Sequence, residues 1–120
     1  MLYSLSEGFV FAEGQGIDPA IFFETINSAL FQSPLYAAYS KVMLNPPEHA
    51  GASVLLGEKD TRLLREAAAS RGTRVRLADT LADIYAQAKA AGLGNEDWAV
   101  GIYRMSQKGS RNAPVRCGAN

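Results

Sequence analysis

The chain has 120 residues, 48% of them apolar and 20% charged, which suits one globular domain and is too apolar for a disordered chain. Twelve basic side chains balance twelve acidic ones, so bulk charge gives no reason to expect nucleic acid or an anionic membrane. No apolar run approaches the roughly 18 residues of a membrane span, and the N-terminus lacks the basic segment of a signal peptide. A single cysteine excludes an internal disulfide, so we expect one cytoplasmic domain.

Helix-boundary residues predict the first three helices. The first should run over residues 2–15 and end at Gly16, where a left-handed residue is expected. Asp18-Pro19 and Ser33-Pro34 each place a capping side chain before a proline at the first helical position. These two pairs therefore predict the starts of the second and third helices.

The second half of the chain predicts three further helices and a tail. A fourth helix is expected over residues 53–70, and a fifth lies between Gly72 and Gly92 with apolar residues at helical spacing. Asn95 is expected to cap a sixth helix. Residues 107–120 predict a flexible tail, so the helical domain should span residues 1–106. Because no segment alternates as a strand does, we expect an all-α bundle of five or six short helices.

Most catalytic and metal-binding signatures are absent. His49 lacks neighbouring ligands and Cys117 has nothing nearby to activate it, so we expect no metal site and an idle thiol. Tyr85 and Lys89 match the YxxxK spacing of short-chain dehydrogenases, but Tyr85 continues an apolar stripe and is better explained as core. Tyr36 and Tyr39 either stack on a flat ligand or form amphipathic core, and the second interpretation is favoured.

One pair of charges interrupts an apolar stripe. In the fourth helix this stripe passes through positions 56, 63, 64 and 67, and Lys59 and Asp60 fall at three- and four-residue spacing from Leu56 and Leu63. Charges within such a seam are costly unless they are paired or needed by a ligand. The alternative is that the lysine reaches solvent and the stripe is slightly rotated. The spacing leaves both interpretations open.

Several segments together resemble the C-terminal helical domain of the β-hydroxyacid dehydrogenases, the family of 3-hydroxyisobutyrate dehydrogenase and of glyoxylate/succinic semialdehyde reductases. The resemblance covers about residues 5–105. In chain order the matching segments are SEGFVFAE (6–13) with GIDP (16–19), NSALF (27–31) with SPLY (33–36), AG (50–51) leading into LGEKD (56–60), and AAGLGNEDW (90–98).

The resemblance implies a fold like the C-terminal domain of 6-phosphogluconate dehydrogenase. It also implies a role in NAD(P)-dependent hydride transfer, in a cleft between this domain and an N-terminal Rossmann domain. Lys59 would contact the dinucleotide, and Asp60 would support the polar cluster of the substrate pocket. No catalytic residue is assigned, because no position matches the family's catalytic lysine or its companion asparagine, and no GxGxxG loop is present. Ala52 stands where many relatives have a pocket-lining phenylalanine, so the substrate is not implied.

Three hypotheses follow. The chain is the helical domain of such an oxidoreductase, truncated in its interdomain helix and inactive alone, with a separate Rossmann domain as a possible partner. Alternatively it is a non-catalytic dimerisation module, using the first helix (Leu5, Phe9) and the Lys59/Asp60 face in a homodimer. As a third hypothesis it is an unrelated all-α scaffold, which would leave Lys59 and Asp60 in open solvent.

Overall fold

The computed structural model describes residues 1–29 and 32–111. It contains six helices: α1 (Leu2–Gly14), α2 (Pro19–Ser28), α3 (Pro34–Leu44), α4 (Val54–Ala69), α5 (Arg76–Ala90) and α6 (Trp98–Arg111). Extended pairing in the described residues is limited to one isolated bridge between Ser53 and Asp97. The prediction of an all-α bundle is therefore confirmed. No described helix is both long and apolar enough to cross a membrane.

Side-chain caps start three of the helices at the predicted places. Asp18 accepts a hydrogen bond from the backbone N–H of Ala20 at 2.7 Å. The hydroxyls of Ser33 and Ser53 accept from the N–H groups three residues later, at 3.3 and 3.2 Å. The left-handed glycines that follow α1, α4 and α5 also agree with the sequence, with φ values of 74°, 64° and 82° at Gly16, Gly72 and Gly92.

The sixth helix differs from its prediction at both ends. Its cap is Asp97 rather than Asn95, because the Asp97 carboxylate accepts from the N–H of Ala99 at 3.0 Å. At its other end α6 continues to Arg111, past the domain boundary expected at residue 106. The rest of the predicted tail, including Cys117, lies outside the described residues.

The core consists of two adjoining clusters that share α6. One joins α4, α5 and α6 around Val54 and Ile102, and the other joins α1, α3 and α6 around Phe9 and Tyr103. Phe9 is fully buried and its ring meets those of Phe22 and Tyr103 edge-on, with centroids 6.3 and 5.6 Å away. Burying a side chain of this size stabilises the fold by about 1.5–3 kcal/mol.

The burial of α1 corrects one expectation. Leu5 and Phe9 were expected to form an exposed association surface, but they are 3% and 0% exposed because they pack against α3 and α6. The apolar side chain that α1 does expose is Phe11. The first helix therefore belongs to the centre of the bundle.

Candidate functional site

Lys59 and Asp60 lie on the outer face of α4, which corrects the expectation of a buried seam. The Lys59 ammonium is 3.2 Å from the Asp60 carboxylate, and the two side chains are 50% and 54% exposed. Their apolar neighbours Leu56 and Leu63 are also exposed. The predicted stripe exists on one face of the helix, but that face points away from the core.

The inner face of α4 is made of smaller residues. Val54, Gly57 and Thr61 are buried there, at three- and four-residue spacing. The ring of Tyr85 from α5 lies directly against Gly57, at a place where any β-carbon would overlap it. Because the tyrosine ring fills the space that a leucine would otherwise take, the larger side chains of α4 are left outside.

Tyr85 brings a phenol close to Asp60. The residue is only 6% exposed, which confirms its interpretation as core. Burial raises the pKa of the Tyr85 phenol above its ordinary value, and the nearby Asp60 carboxylate and Tyr39 phenol raise it further. The phenol therefore stays protonated at neutral pH and is available as a hydrogen-bond donor. Sequence reasoning missed this neighbour of Asp60, since the contact joins two helices.

Tyr39 and Trp98 adjoin this group. Their ring centroids are 6.3 Å apart with an interplanar angle of 60°. Both rings pack against the cluster around Phe9 and Tyr103, and Trp98 also packs against the cluster that contains Tyr85. Trp98 therefore links the two core clusters, with Tyr39 packed beside it.

Two loops hold the start of α4 in place. Asp97, 8% exposed, accepts from the N–H of Gly51 at 3.1 Å while it also caps α6. The N–H of Trp98 donates to the Ala52 carbonyl at 2.7 Å, and the N–H of Val54 donates to Glu96 at 3.0 Å. These bonds fix the segment that leads into α4, and hence the position from which Lys59 and Asp60 project.

The other residues considered in the sequence, Lys89, Tyr36 and His49, lie in structural contacts or in an exposed loop. Lys89 donates to both carboxylate oxygens of Glu58, at 3.1 and 3.2 Å. Its ammonium is therefore paired with Glu58 rather than with the Tyr85 phenol, as a YxxxK site would require. The Tyr36 hydroxyl lies 3.1 Å from that of Ser4. His49 is exposed in the loop between α3 and α4.

Comparison with known proteins decides the family. Residues 1–104 match the family model described as the NAD-binding domain of NADP-dependent 3-hydroxyisobutyrate dehydrogenase. The chain belongs to this family. The hypothesis of an unrelated scaffold is therefore wrong, although the exposure of Lys59 and Asp60 was what that hypothesis expected. The exposure of Lys59 and Asp60 therefore does not distinguish a member of this family from an unrelated scaffold.

The relatives of this 3-hydroxyisobutyrate dehydrogenase-type domain are oxidoreductases. An uncharacterized oxidoreductase of Bacillus subtilis is 38% identical over 100 residues, covering 82% of this chain and 35% of that protein. The chloroplastic glyoxylate/succinic semialdehyde reductase 2 of Arabidopsis thaliana is 26% identical over 113 residues, covering 94% of this chain and 32% of that protein.

A solved structure shows the same fold. The 3-hydroxyisobutyrate dehydrogenase of Salmonella typhimurium superposes with a TM-score of 0.77 at 19% identity, covering 87% of this chain and 36% of that one. The chain thus spans about a third of the length of the relatives it matches. The resemblance read from the sequence is confirmed for the family and for the fold.

Proposed function

We propose that this chain is the helical part of an NAD(P)-dependent β-hydroxyacid dehydrogenase-like oxidoreductase, and that the outer face of α4 forms one wall of its cofactor and substrate cleft. The observation that carries the proposal is the Lys59–Asp60 pair, set among exposed leucines on that face. Leu56 and Leu63 are 37% and 48% exposed beside the pair, and a second domain closing over this face would cover them.

The residues present fit the polar part of a dinucleotide. The half-exposed ammonium of Lys59 offers three donors and a positive charge to an anionic or hydroxyl group, and Asp60 neutralises that charge in the absence of a ligand. When bound, NAD(P) supplies or accepts the hydride. The role of this chain is then to bind and orient, with Lys59 toward the dinucleotide and Asp60 toward the substrate pocket.

We expect no turnover by this chain alone. No position in the matched segments carries the acid–base lysine that the family resemblance implies, and such a group typically contributes roughly 10²–10⁴ to the rate. Dinucleotide binding by the chain alone should be weak, because its 120 residues contain no GxGxxG loop to hold the pyrophosphate. We propose a cytoplasmic location for the assembled protein.

A second function is favoured by α2 and α3. Helix α2 has no fully buried side chain, although its Phe22 packs edge-on against Phe9, and Ile17, Ile21 and Leu35 are 45%, 61% and 49% exposed. A non-catalytic dimerisation module would use such a surface to associate with a second copy. The two functions are compatible, since these exposed residues lie outside α4.

The decisive experiment is a titration of the full chain with NADH and NADPH, followed by NMR chemical shifts. We expect saturable shifts on α4, weakened by about tenfold or more in Lys59→Ala because a charge-assisted hydrogen bond is lost. Lys108→Ala removes the same charge from an exposed position on α6 and should leave binding unchanged. Equal binding by wild type and Lys59→Ala would remove the cofactor role proposed for Lys59.

A further inference from the structure

The turn that joins α4 to α5 carries an excess of positive charge, although the whole chain has a formal net charge of zero. Five arginines lie between residues 62 and 76: Arg62, Arg65, Arg71, Arg74 and Arg76. Two of them have carboxylate partners, since Arg62 pairs with Glu66 at 2.8 Å and Arg65 pairs with Asp79 at 2.7 Å. The other three form no ion pair within residues 1–29 and 32–111. Their like charges repel one another, so an anion bound at this turn would relieve the repulsion.

A cavity of about 310 Å³ lies at the same turn. Arg65 from α4, Thr73 and Arg74 from the turn, and Asp79 from α5 line it together. Pockets for small molecules typically measure about 300–1,000 Å³, so this volume is at the lower end of that range. A concave site of this size suits a compact ligand better than a polymer, which would lie across an extended surface.

Hydrogen-bond donors outnumber acceptors in this cavity. Arg65 donates to Asp79 through Nε, which leaves the terminal amino groups of its guanidinium available for a ligand. The Arg74 guanidinium and the Thr73 hydroxyl make no hydrogen bond to any residue that the structure describes, and both line the cavity. The Asp79 carboxylate holds Arg65 in place and neutralises one charge, so the lining keeps a net positive charge.

The start of α5 adds backbone donors to this set. Its N-cap residue is Val75, which lines the cavity and offers no side-chain acceptor to the first N–H groups of the helix. By contrast, α2, α3, α4 and α6 are each capped by an aspartate or serine side chain. Free N–H groups and the partial positive charge at a helix start favour an anion, and here they supplement the two guanidinium groups.

A phosphate group matches these donors better than a carboxylate does. Guanidinium groups bind both anions through pairs of parallel hydrogen bonds. A phosphate monoester presents three terminal oxygens and nearly two negative charges, so two guanidinium groups and a hydroxyl can bind it at once. A carboxylate presents two oxygens and one charge. Nucleic acid is disfavoured, because it would need a continuous basic surface and the carboxylates of Glu66 and Asp79 interrupt this one.

We propose that the cavity between Arg65 and Arg74 binds a phosphate group, either as inorganic phosphate or on a small phosphorylated compound. This site is separate from the Lys59–Asp60 pair. Ala69 also lines the cavity, and it lies ten residues after Lys59 on α4, about 15 Å along the helix axis. The inference therefore does not depend on the cofactor role proposed for Lys59.

An NMR titration of the full chain tests this proposal. Inorganic phosphate and glucose 6-phosphate each replace sodium chloride at constant pH and ionic strength. We expect saturable shifts of the Gly72 amide and of the Arg65 Nε–H, with dissociation constants on the order of 1 mM. Tighter binding of glucose 6-phosphate would assign the cavity to a phosphorylated compound, and equal binding would assign it to the phosphate group alone.

Two glutamine variants separate a built site from general attraction to positive charge. Arg74→Gln removes a guanidinium that lines the cavity, and it should weaken phosphate binding about tenfold or more. Arg71→Gln removes the same charge from an exposed position on the same turn that does not line the cavity, and it should change binding less than about twofold. Neither arginine forms an ion pair with a described residue, so both variants should fold.

A selective loss in Arg74→Gln would support the site. Equal losses in the two variants would overturn it, because they would show attraction to the charge of the whole turn. Shifts that do not saturate with either phosphate probe would overturn it as well. Tighter binding of a single-stranded oligonucleotide than of either probe would assign the turn to nucleic acid and would also overturn the site. All of these results leave the proposal for Lys59 to its own titration.

Discussion

At the scale of single residues, Gly57 determines which side of α4 faces the core. Its missing side chain lets the Tyr85 ring lie against the helix backbone. With that space filled, Leu56 and Leu63 turn outward together with Lys59 and Asp60. One glycine thus links the packing of α4 on α5 to the direction in which the candidate site points.

Gly57→Ala should destabilise the chain by about 1–3 kcal/mol, because a β-carbon there overlaps the buried Tyr85 ring and forces it or the helix to shift. Urea denaturation would measure the loss. Gly14→Ala is a matched control, since a β-carbon at Gly14 meets nothing within 4 Å, and it should be neutral or stabilise by up to about 1 kcal/mol. Equal stabilities for the two variants would contradict the close packing at Gly57.

At the scale of secondary-structure elements, Asp97 joins two helix starts. One carboxylate oxygen caps α6 through Ala99, and the other holds Gly51 just before α4. The isolated bridge between Ser53 and Asp97 brings the same two segments together. The entry to α4 is thus held by a residue that belongs to a different helix.

Two substitutions of Asp97 should separate the contributions of its two hydrogen bonds to the free energy of unfolding. Asp97→Ser keeps a good capping oxygen for α6 but cannot also reach Gly51, so we expect a loss of about 1 kcal/mol in the free energy of unfolding. Asp97→Ala removes both bonds and should cost about 2–3 kcal/mol. Urea denaturation, with hydrogen exchange at Gly51, tests both variants. If Asp97→Ser were as stable as the wild-type chain, the Gly51 bond would contribute nothing, and if serine and alanine destabilised the chain equally, the α6 cap would contribute nothing.

At the scale of the whole molecule, the bundle exposes apolar side chains on more than one face. Ile21 on α2 and Leu35 on α3 are exposed on two helices that pack against each other, and Leu77 at the start of α5 lies on another part of the chain. Leucines and isoleucines at these exposures favour association.

We predict that light scattering finds a homodimer at tens of micromolar, an affinity typical of a modest interface. Ile21→Glu combined with Leu35→Glu should shift the population to monomer, because four charges would be buried in a two-fold interface. Leu77→Glu introduces the same charge elsewhere and should leave the dimer intact. A monomeric wild-type chain at this concentration would contradict the proposed association.

Local signals account for the part of the structure that the sequence predicted. Asp18 and Ser33 cap helices whose first residue is proline, and Gly16, Gly72 and Gly92 adopt left-handed conformations after α1, α4 and α5. Each of these interactions involves residues within one helical turn of one another. The residues around each of these helix ends are therefore enough to predict where the helix begins or ends.

The missed features depend on residues that are far apart in the chain. The apolar spacing of α4 showed a stripe but not its direction, since Gly57 and Tyr85, on separate helices, settle which face is buried. Asn95 was predicted to cap α6, but Asp97 does so, and its second bond, from the N–H of Gly51, joins segments far apart in the chain. The phenol beside Asp60 was missed for the same reason.

The amino-acid sequence by itself determined most helix boundaries up to the end of α5, the all-α class and the family, because these depend on local hydrogen bonding and on short segments that occur in a characteristic order. Only the tertiary structure decided that Lys59 and Asp60 face outward and that Tyr85 packs on Gly57 at the inner face of α4. Which face of a helix is buried depends on the volumes of the side chains that distant segments pack against it. The apolar periodicity and the capping residues of the helix itself do not reveal those volumes.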